Sequence, residues 1–483
     1  MNIRLILHIL SVVLMIVCGF MLLPILVAFI YKEYDCVLVF SIIAIAVILI
    51  CLLFFLFTSS KREKKFKTKD GFVLVSLCWL FIGLIGALPY QFTHSVNHFA
   101  DGFFESTSGF TTTGATILND IEILPRSVLF WRALTHWIGG MGIIALTVAI
   151  FPILGISGLN LMKAEAPGPS IEKISAKVAS TAKILWVTYL ALTFLEVFFL
   201  VLGKMSVFDA FAHAFSTIST GGFSTKNASI GAYNSRYIEW VVAIFMFLSG
   251  INFSLHFKLI TGKWKELLRN SELKWYLAII FIGVALISTN LMVKEIVPLF
   301  DGLRDSFFQI TSIITTSGFS TADYQSWPWL SQLYLFALFF IGGCAGSTSG
   351  GVKVVRLVTL AKVAHYQAKS LLFPQGVFTV KLNSQPLHQK SIYDTVGFVF
   401  LYFVLILILS IISAGFGMDL ETAFSSALSM LGNVGPGFGA VGPTHTMAFV
   451  ATPLKWIYSF AMIVGRLEIF TVIVIFLPRF WKS

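Results

Sequence analysis

The sequence predicts an all-α polytopic membrane protein, in which four pseudo-symmetric helix–pore-helix–filter-loop–helix repeats surround one central pore after an N-terminal two-helix hairpin. The apolarity of the chain and a four-fold internal repeat carry this prediction. Of 483 residues, 57% are hydrophobic and 12% are charged, against about 25% charged in soluble domains. The mean hydropathy of +0.87 excludes an ordinary soluble protein.

Apolar runs long enough to cross hydrocarbon recur along the chain, and we expect about ten crossings. The first two runs form a predicted hairpin over 1–58. Because the first run is long and a second follows closely, we expect it to be retained and not cleaved as a signal peptide. The clearest runs cover 5–30, 37–57, 71–88, 184–202, 240–255, 275–292 and 395–414.

The net charge of +11 comes from basic residues that lie in alternate loops. By the positive-inside rule these loops and both termini are expected to be cytoplasmic. The positive net charge therefore reflects which loops lie on the cytoplasmic side of the membrane, and no nucleic-acid partner is expected. Five cysteines without CxxC spacing indicate neither a disulfide framework nor a zinc site. The basic clusters fall at 61–69, 163–183, 258–274, 353–390 and 479–482.

Four segments between the apolar runs place a short helical stretch before small residues. Aligned on one glycine, they share a Phe eleven positions upstream, and three of them share an Asp thirteen positions upstream. A unit that cannot complete its own site is expected to repeat around an axis along the membrane normal. The units are predicted at 70–155, 181–262, 273–368 and 390–478. The aligned residues are Gly114, Gly222, Gly318 and Gly435, then Phe103, Phe211, Phe307 and Phe424, then Asp101, Asp209, Asp305 and Thr422.

The three aspartates are interpreted as N-caps of pore helices. The C-terminal, partly negative ends of those helices would then point inward and stabilise a cation.

Non-helical backbone at membrane depth is tolerated where it is buried in protein or lines a cavity. Rings of backbone carbonyls can replace the hydration shell of K+, and glycine allows the dihedrals that such rings need. One Gly/Thr-rich segment would be an ordinary turn, whereas four at matching offsets indicate a filter. The fourth segment departs most, because asparagine replaces a hydroxyl residue and proline follows the glycine. The predicted ion-lining residues are Thr112, Thr113, Gly114, Thr220, Gly221, Gly222, Thr316, Ser317, Gly318, Asn433, Val434 and Gly435.

Each filter segment precedes an apolar helix that is interrupted by small residues, at 139–140, 249–250, 342–343 and 465. The third interruption, over 342–351, is too glycine-rich to stay helical. Arg466 in the last apolar helix is a functional candidate, since a cation there is costly, and Glu468 is expected to pair with another helix. Arg132, His136 and Glu196 are weaker candidates that can snorkel or satisfy neighbouring helices.

The chain resembles the Trk/Ktr/HKT superfamily over essentially its whole length. The matching motifs are FFESTSGFTTTGAT at 103–116, GGMGIIAL at 139–146, STGGFSTKNASIG at 219–231, FIGGCAGSTSGGVKV at 340–354 and GRLEIFT at 465–471.

This resemblance implies K+ conduction in a bacterial inner membrane, with potassium ions in the filter and no covalently bound cofactor. It also implies a homodimer and control by a cytosolic TrkA-type nucleotide-binding subunit, which we expect to contact 163–183. Within the superfamily, serine at the first filter glycine accompanies Na+ permeation, so Gly114 favours K+. Departures from the TVGYG pattern of potassium channels predict a looser filter that also admits Rb+ and, weakly, Na+.

The resemblance further implies that the glycine-rich break blocks the path below the filter and that Arg466 acts there as a barrier or latch; a packed kink is the structural alternative. The implied gating residues are Gly343, Cys344, Ala345, Gly346, Ser347, Thr348, Ser349, Gly350 and Arg466.

Other classes of protein fit less well. A membrane-embedded enzyme is disfavoured because the sequence contains neither HExxH nor GxSxG. A structural scaffold would not need glycine at four equivalent positions. A proton- or sodium-coupled potassium symporter stays open, since symporters also use broken helices and repeats.

Overall fold

The computed structural model describes residues 1–58, 67–142, 178–376, 378–383 and 385–482. Within these ranges most residues are helical and very few lie in strands, and the prediction of an all-α membrane protein is confirmed. The described strands form one small antiparallel sheet, in which Lys381 of β1 (Lys381–Leu382) lies opposite Pro386 of β2 (Gln385–Pro386).

The N-terminal hairpin docks on the first repeat. It consists of α1 (Ile3–Phe20), α2 (Leu22–Ile30) and α3 (Tyr34–Thr58). Glu33, at its turn, accepts hydrogen bonds from the backbone N–H groups of Arg126 and Ser127 at 2.7 and 3.0 Å. Because the first N–H groups of a helix lack partners within that helix, this carboxylate ties the hairpin to the helix that begins at Arg126.

Each repeat has an outer helix, a short pore helix and an inner helix. Repeat 1 contains α4 (Thr68–Phe92), α5 (Phe99–Phe110) and α6 (Arg126–Gly140). Repeat 2 contains α7 (Val178–Leu202), α8 (Val207–Ile218), α9 (Arg236–Ser249) and α10 (Phe253–Ile260), and α11 (Trp264–Arg269) follows it. Repeat 3 contains α12 (Ser271–Val293), α13 (Leu299–Ile314), α14 (Trp329–Leu338) and α15 (Val354–Leu372). Repeat 4 contains α16 (Gln389–Gly415), α17 (Leu420–Gly432), α18 (Thr452–Arg466) and α19 (Phe470–Ile473), before the final α20 (Pro478–Trp481).

The inner helices break where the small residues predicted it. Helix α6 ends at Gly140, close to the end of the described range 67–142. In repeat 2 the chain bends by 98° between α9 and α10, and in repeat 4 by 109° after α18. The apolar run 240–255 is therefore not one straight helix. Asn252 starts the new helix there, because its side chain accepts the N–H of Ser254 at 2.8 Å.

The part of the chain that the structure describes contains fewer uninterrupted crossings than the roughly ten expected for the whole chain. In the described ranges six helices are long and apolar enough to span a membrane, or eight if each bent pair counts as one span. The inner helices of repeats 1 and 3 are not among these eight. The first reaches the edge of the described residues, and an irregular segment over 339–353 divides the second.

The repeats close into a ring. The inner helix of each repeat packs on the pore helix of the next, as α6 does on α8 and α9 on α13. Phe336 of α14 and Phe424 of α17 lie with ring centroids 6.1 Å apart. Helix α18 then packs on α5, so the fourth repeat meets the first and the four predicted filter segments are brought to the centre.

Candidate functional site

All four filter segments adopt the same unusual backbone. In each, the aligned glycine and the residue two positions before it have left-handed φ angles. This conformation is costly for threonine, of the order of 1–3 kcal/mol, and persists where the surroundings enforce it. The φ angles are 55° and 79° for Thr112 and Gly114, 58° and 82° for Thr220 and Gly222, 58° and 78° for Thr316 and Gly318, and 54° and 98° for Asn433 and Gly435.

The pore helices hold this backbone directly. Each ends immediately before its filter segment, so its C-terminal, partly negative end faces the segment. The residue before each aligned glycine then donates its backbone N–H to a carbonyl in the last turn of the helix. These bonds run from Thr113 to Ser108 at 2.9 Å, from Gly221 to Ser216 at 2.8 Å, from Ser317 to Ser312 at 2.8 Å and from Val434 to Ser429 at 3.0 Å.

Contacts between the four glycines and neighbouring carbonyls show that the segments form a closed ring. A side-chain carbon added to Gly114 would overlap the carbonyl oxygen of Gly221 in repeat 2, and one on Gly222 would overlap that of Ser317 in repeat 3. Carbons added to Gly318 and Gly435 would lie 2.5 Å from the carbonyl oxygens of Val434 and Thr113, respectively. Each segment thus touches the next, and glycine is required at the contact.

A ring of serines behind the filter was missed in the sequence reading, although it lies at a fixed offset. Aligned on the four glycines, the serines stand six positions upstream. Ser108 and Ser312 donate to the carbonyls of Ala115 and Phe319, each at 2.6 Å, and Ser429 donates to Gly435 at 2.8 Å. Ser216 of repeat 2 contacts His136 instead.

The structure explains why the fourth segment differs in sequence from the other three. Asn433 occupies the left-handed position, which asparagine tolerates better than β-branched residues do. Its side-chain amide donates to Thr113 Oγ1 at 2.9 Å and to the carbonyl of Met462 at 3.0 Å. Asparagine therefore joins the fourth filter segment to the first.

The interpretation of the three aspartates as N-caps is wrong, because the pore helices begin earlier. Asp101 and Asp209 are the third residues of their helices, and Asp305 is the seventh. In repeat 4 the cap is Asp419, whose carboxylate accepts the N–H of Thr422 at 3.1 Å. Hydrogen bonds from Thr422 lower the pKa of Asp419. The capping positions of the other three helices are His98, Ser206 and Pro298.

Arg132 is buried and does not snorkel. Its Nε lies 2.6 Å from Oε1 of Glu105, and its Nη1 donates to the carbonyl of Ser224 at 2.9 Å. Glu105 also accepts the N–H of Ile117 at 3.0 Å and the hydroxyl of Thr116 at 2.9 Å. The ion pair therefore fixes the chain that leaves filter segments 1 and 2. Glu196 is buried too, and neither carboxyl oxygen has a hydrogen-bond partner among the described residues.

The glycine-rich loop in repeat 3 lies against the inner ends of the filter segments. The N–H of Gly350 donates to Thr316 Oγ1 at 2.7 Å, and the hydroxyl of Thr348 donates to the carbonyl of Ile218 at 3.0 Å. A side-chain carbon at Gly350 would overlap the carbonyl of Gly432, the last residue of α17. The loop thus contacts the C-terminal ends of two pore helices and one filter threonine.

Three further contacts anchor the beginning of the loop. The N–H of Cys344 donates to the carbonyl of Gly250 at 2.9 Å, and Gly346 accepts the N–H of Phe253 at 3.0 Å. Glu272 of α12 accepts the N–H of Ala345 at 2.7 Å. Glu272, a buried carboxylate in an outer helix, was not recognised in the sequence, where an acidic residue at the start of an apolar run was its signal.

Arg466 joins the loop to the opposite side of the ring. Its guanidinium donates to the carbonyls of Thr348 at 2.7 Å, Gly139 at 2.8 Å and Gly140 at 3.0 Å. Its charge is therefore compensated by carbonyl dipoles. Glu468 forms an ion pair with Arg356 of α15, so it pairs with another helix as expected.

Two cavities lie at the filter and the loop. One, of about 160 Å³, is lined by the four aligned glycines together with residues such as Arg132 and Lys226. The other, of about 210 Å³, is lined by loop residues 346–351, by Lys353 and by Arg466. The two share no lining residue, so the filter glycines and the loop open to different spaces.

Comparisons with known proteins agree with this architecture. The family model TrkH, described as a cation transport protein, matches residues 38–483. The Trk system potassium uptake protein TrkH of Salmonella typhimurium is 39% identical over 495 residues, and that of Escherichia coli K12 is 38% identical over 488 residues; all of each chain is covered. The crystal structure of the potassium transporter TrkH from Vibrio parahaemolyticus superposes with a TM-score of 0.88 at 34% identity, again over the whole of both chains.

These matches confirm the resemblance inferred from the filter motifs and confirm that the protein is a transporter, not an enzyme. A multi-pass membrane location follows from the apolar spans and the relatives. The chain belongs to the TrkH family of cation transport proteins.

Proposed function

We propose that this protein takes up K+ across a bacterial inner membrane through a filter of backbone carbonyls. The observation that carries the proposal is the closed ring of four segments with the same alternating left-handed backbone. Relatives that are 38–39% identical over their whole length are named as potassium uptake proteins. Because K+ is the cargo, the proposed ion ligands are the twelve filter residues predicted from the sequence, and no covalent cofactor is required.

The loop below the filter is the proposed gate. It bonds to Thr316, and Arg466 holds it to the end of the first inner helix. Residues 343–350 would therefore occlude the path in the closed state, with Arg466 as the latch. Opening must break these hydrogen bonds or move the whole segment.

The proposed assembly is a homodimer in the inner membrane, with both termini cytoplasmic and a TrkA-type nucleotide-binding subunit bound on that side. The basic residues near α11 and near the C-terminus support this orientation. The expected contact segment, 163–183, lies outside the described residues up to 177. If it contacts the subunit, reversing its lysine charges will weaken binding in a pull-down. Unchanged binding would contradict the contact.

Flux measurements test the proposed function. Liposomes with the purified full-length protein should take up Rb+ faster than Na+, and the cytosolic subunit should raise the rate. Equal Rb+ and Na+ uptake would contradict the potassium filter. Reversal potentials separate the pore from the symporter. Under a proton gradient only coupled transport shifts the reversal potential, whereas under a Na+ gradient a pore shifts by the amount that its Na+ permeability sets and a symporter by the amount that its coupling ratio sets.

A further inference from the structure

The interface between repeats 1 and 2 departs from the four-fold pattern of the filter. In three repeats the serine behind the filter donates to the backbone carbonyl of the aligned glycine or of the residue after it. In repeat 2, Ser216 Oγ instead lies 3.3 Å from Nδ1 of His136, a fully buried residue of inner helix α6. An imidazole from the neighbouring repeat thus takes the place of that backbone carbonyl as the contact of this serine.

His136 contacts the filter backbone as well as the serine. The N–H of Phe223, the residue after the filter glycine Gly222, donates to Nδ1 at 3.4 Å. A backbone N–H can only donate, so Nδ1 accepts and carries no proton. Nε2 has no hydrogen-bond partner among the described residues. His136 therefore acts toward the filter as a neutral acceptor.

The ring of Phe223 is held between two side chains of α6. The His136 imidazole stacks on it with centroids 4.0 Å apart and planes 16° apart, and the Arg132 guanidinium carbon lies 3.5 Å from its centroid. Two groups this near to one ring centre must occupy opposite faces. Arg132 and His136, four residues apart on one helix face, thus clamp the residue that follows the filter.

Gly221 completes the arrangement. The equivalent positions of the other segments carry Thr113, Ser317 and Val434, whereas a side-chain carbon at Gly221 would overlap the imidazole of His136. The imidazole therefore fills the space that a filter side chain takes elsewhere. Glycine at 221 and histidine at 136 form a matched pair.

We propose that His136 is a positioning residue for the second filter segment and that its neutral imidazole contributes to discrimination between K+ and Na+. The inference rests on the proposed function, because it assigns His136 to the same filter. It acts through the carbonyls of Gly221 and Gly222, whose positions depend on the Phe223 N–H bond and on the stacked ring. A displaced segment no longer holds its carbonyls where they replace the hydration shell of K+, so the preference for K+ over the smaller Na+ is reduced.

The first test compares His136→Leu with His136→Gln by Rb+ and Na+ flux in liposomes. His136→Leu removes the acceptor, and we expect the Rb+/Na+ ratio to fall by about three- to tenfold, as for the loss of one hydrogen bond. His136→Gln keeps a neutral acceptor in its amide oxygen and should retain most of the parental ratio. A merely structural role would lower protein yield or total flux in both variants without this difference in selectivity.

The second test uses the matched pair. Gly221→Ser alone should lower the ratio, because its side chain collides with the imidazole. In a His136→Ala background the space is free, and serine there reproduces the residue of repeat 3, so the double variant should recover selectivity relative to Gly221→Ser. If His136→Leu cannot be reconstituted, the comparison of Gly221→Ser with the double variant tests the inference. A higher Rb+/Na+ ratio in the double variant supports the inference, and an equal or lower ratio overturns it.

Two further variants separate the possible outcomes. His256→Leu removes a partly buried histidine, whose Nε2 contacts the carbonyl of Leu248 away from the filter, and should leave the ratio unchanged. Gly114→Ser should lower the ratio if the filter is assigned correctly. An altered Gly114→Ser with an unaltered His136→Leu overturns this inference alone, whereas unaltered ratios in both overturn the proposed function.

Discussion

At the scale of single residues, the filter depends on positions where an unfavourable backbone is enforced. Thr112, Thr220 and Thr316 are β-branched residues with φ between 55° and 58°. Each lies directly after a pore-helix terminus and within one residue of an N–H bond back to that helix. The strain is maintained because the helix end and the neighbouring segment fix both sides of each threonine.

Gly114→Ser should reduce selectivity for K+ over Na+. Its φ of 79° disfavours any side chain, and a carbon there would overlap the carbonyl oxygen of Gly221. The carbonyl must shift, and the serine hydroxyl becomes an additional ligand. We expect a lower Rb+/Na+ flux ratio in liposomes, and an unchanged ratio in a correctly folded variant would count against the filter assignment.

Thr316→Val should raise K+ flux in the absence of the regulatory subunit. Thr316 Oγ1 is the acceptor for the N–H of Gly350, and leaving that buried N–H unpaired costs about 1–3 kcal/mol in the closed state. Thr359→Val is the control, because the Thr359 hydroxyl bonds to its own helix at Val355. Equal basal Rb+ flux in the two variants would argue against a closed state held by this bond.

At the scale of helices and loops, the inner elements are broken while the outer helices are continuous. The breaks leave carbonyls and N–H groups without helical partners, and such groups must be satisfied within the protein at membrane depth. Arg466 donates hydrogen bonds to the carbonyls of Gly139 and Gly140, and Glu272 accepts hydrogen bonds from the N–H groups of Ala345 and Val355. These charged side chains replace missing helical hydrogen bonds and also fix the loop.

Deleting several residues from 345–350 should raise K+ flux without the regulatory subunit and leave the Rb+/Na+ ratio largely intact. The deletion removes the part of the loop that contacts Thr316 and Ile218 but leaves the filter segments in place. Basal Rb+ uptake in liposomes measures the effect. A folded deletion variant that conducts no better than the parent would show that the segment is only a packed kink.

Arg466→Ala should also raise basal flux, since it removes a positive charge near the cation path and a hydrogen bond to Thr348. Combined with the loop deletion, it should add less than its separate effect, because both changes act on one closed state. A double-mutant cycle on Rb+ flux measures the coupling. Full additivity would show that Arg466 and the loop act independently.

At the scale of the whole molecule, the contacts that close the ring of four repeats contribute to the stability of the fold. Inner helices meet the next pore helices through ion pairs as well as apolar contacts: Lys455 of α18 lies 2.6 Å from Asp101 of α5, and Arg304 of α13 lies 2.8 Å from Glu239 of α9. Lys455 and Asp101 are 7% and 8% exposed, so neither charge is well solvated without the other. This pair joins the last repeat to the first.

Lys455→Met should destabilise the protein by about 3–5 kcal/mol, because it leaves the Asp101 carboxylate buried without its cation. The double variant Lys455→Met/Asp101→Asn should be more stable than Lys455→Met, since it removes both charges. Thermal unfolding in detergent, monitored as the loss of monodisperse protein, ranks the stabilities of the two variants. A double variant less stable than the single would show that the pair contributes beyond charge compensation.

The apolarity, the basic clusters and the four aligned glycines were sufficient to predict the membrane class and the four equivalent segments that share one backbone conformation, because these depend on local composition and fixed spacing. The ring of serines had the same fixed spacing and was still overlooked. The boundaries of the repeat units stay a prediction. The aspartates were misassigned as caps because a helix start depends on which residues begin the hydrogen-bond ladder, and the aligned position does not reveal that.

Contacts between distant segments were decided only by the tertiary structure. The sequence placed Arg466 and the glycine-rich loop in different repeats, and their association was implied only by family resemblance. The structure also showed that Asn433 reaches Thr113 and that His136 fills the space beside Gly221. Local periodicity specifies the helices and their breaks, whereas the partners of a buried polar group depend on how four repeats pack around one axis.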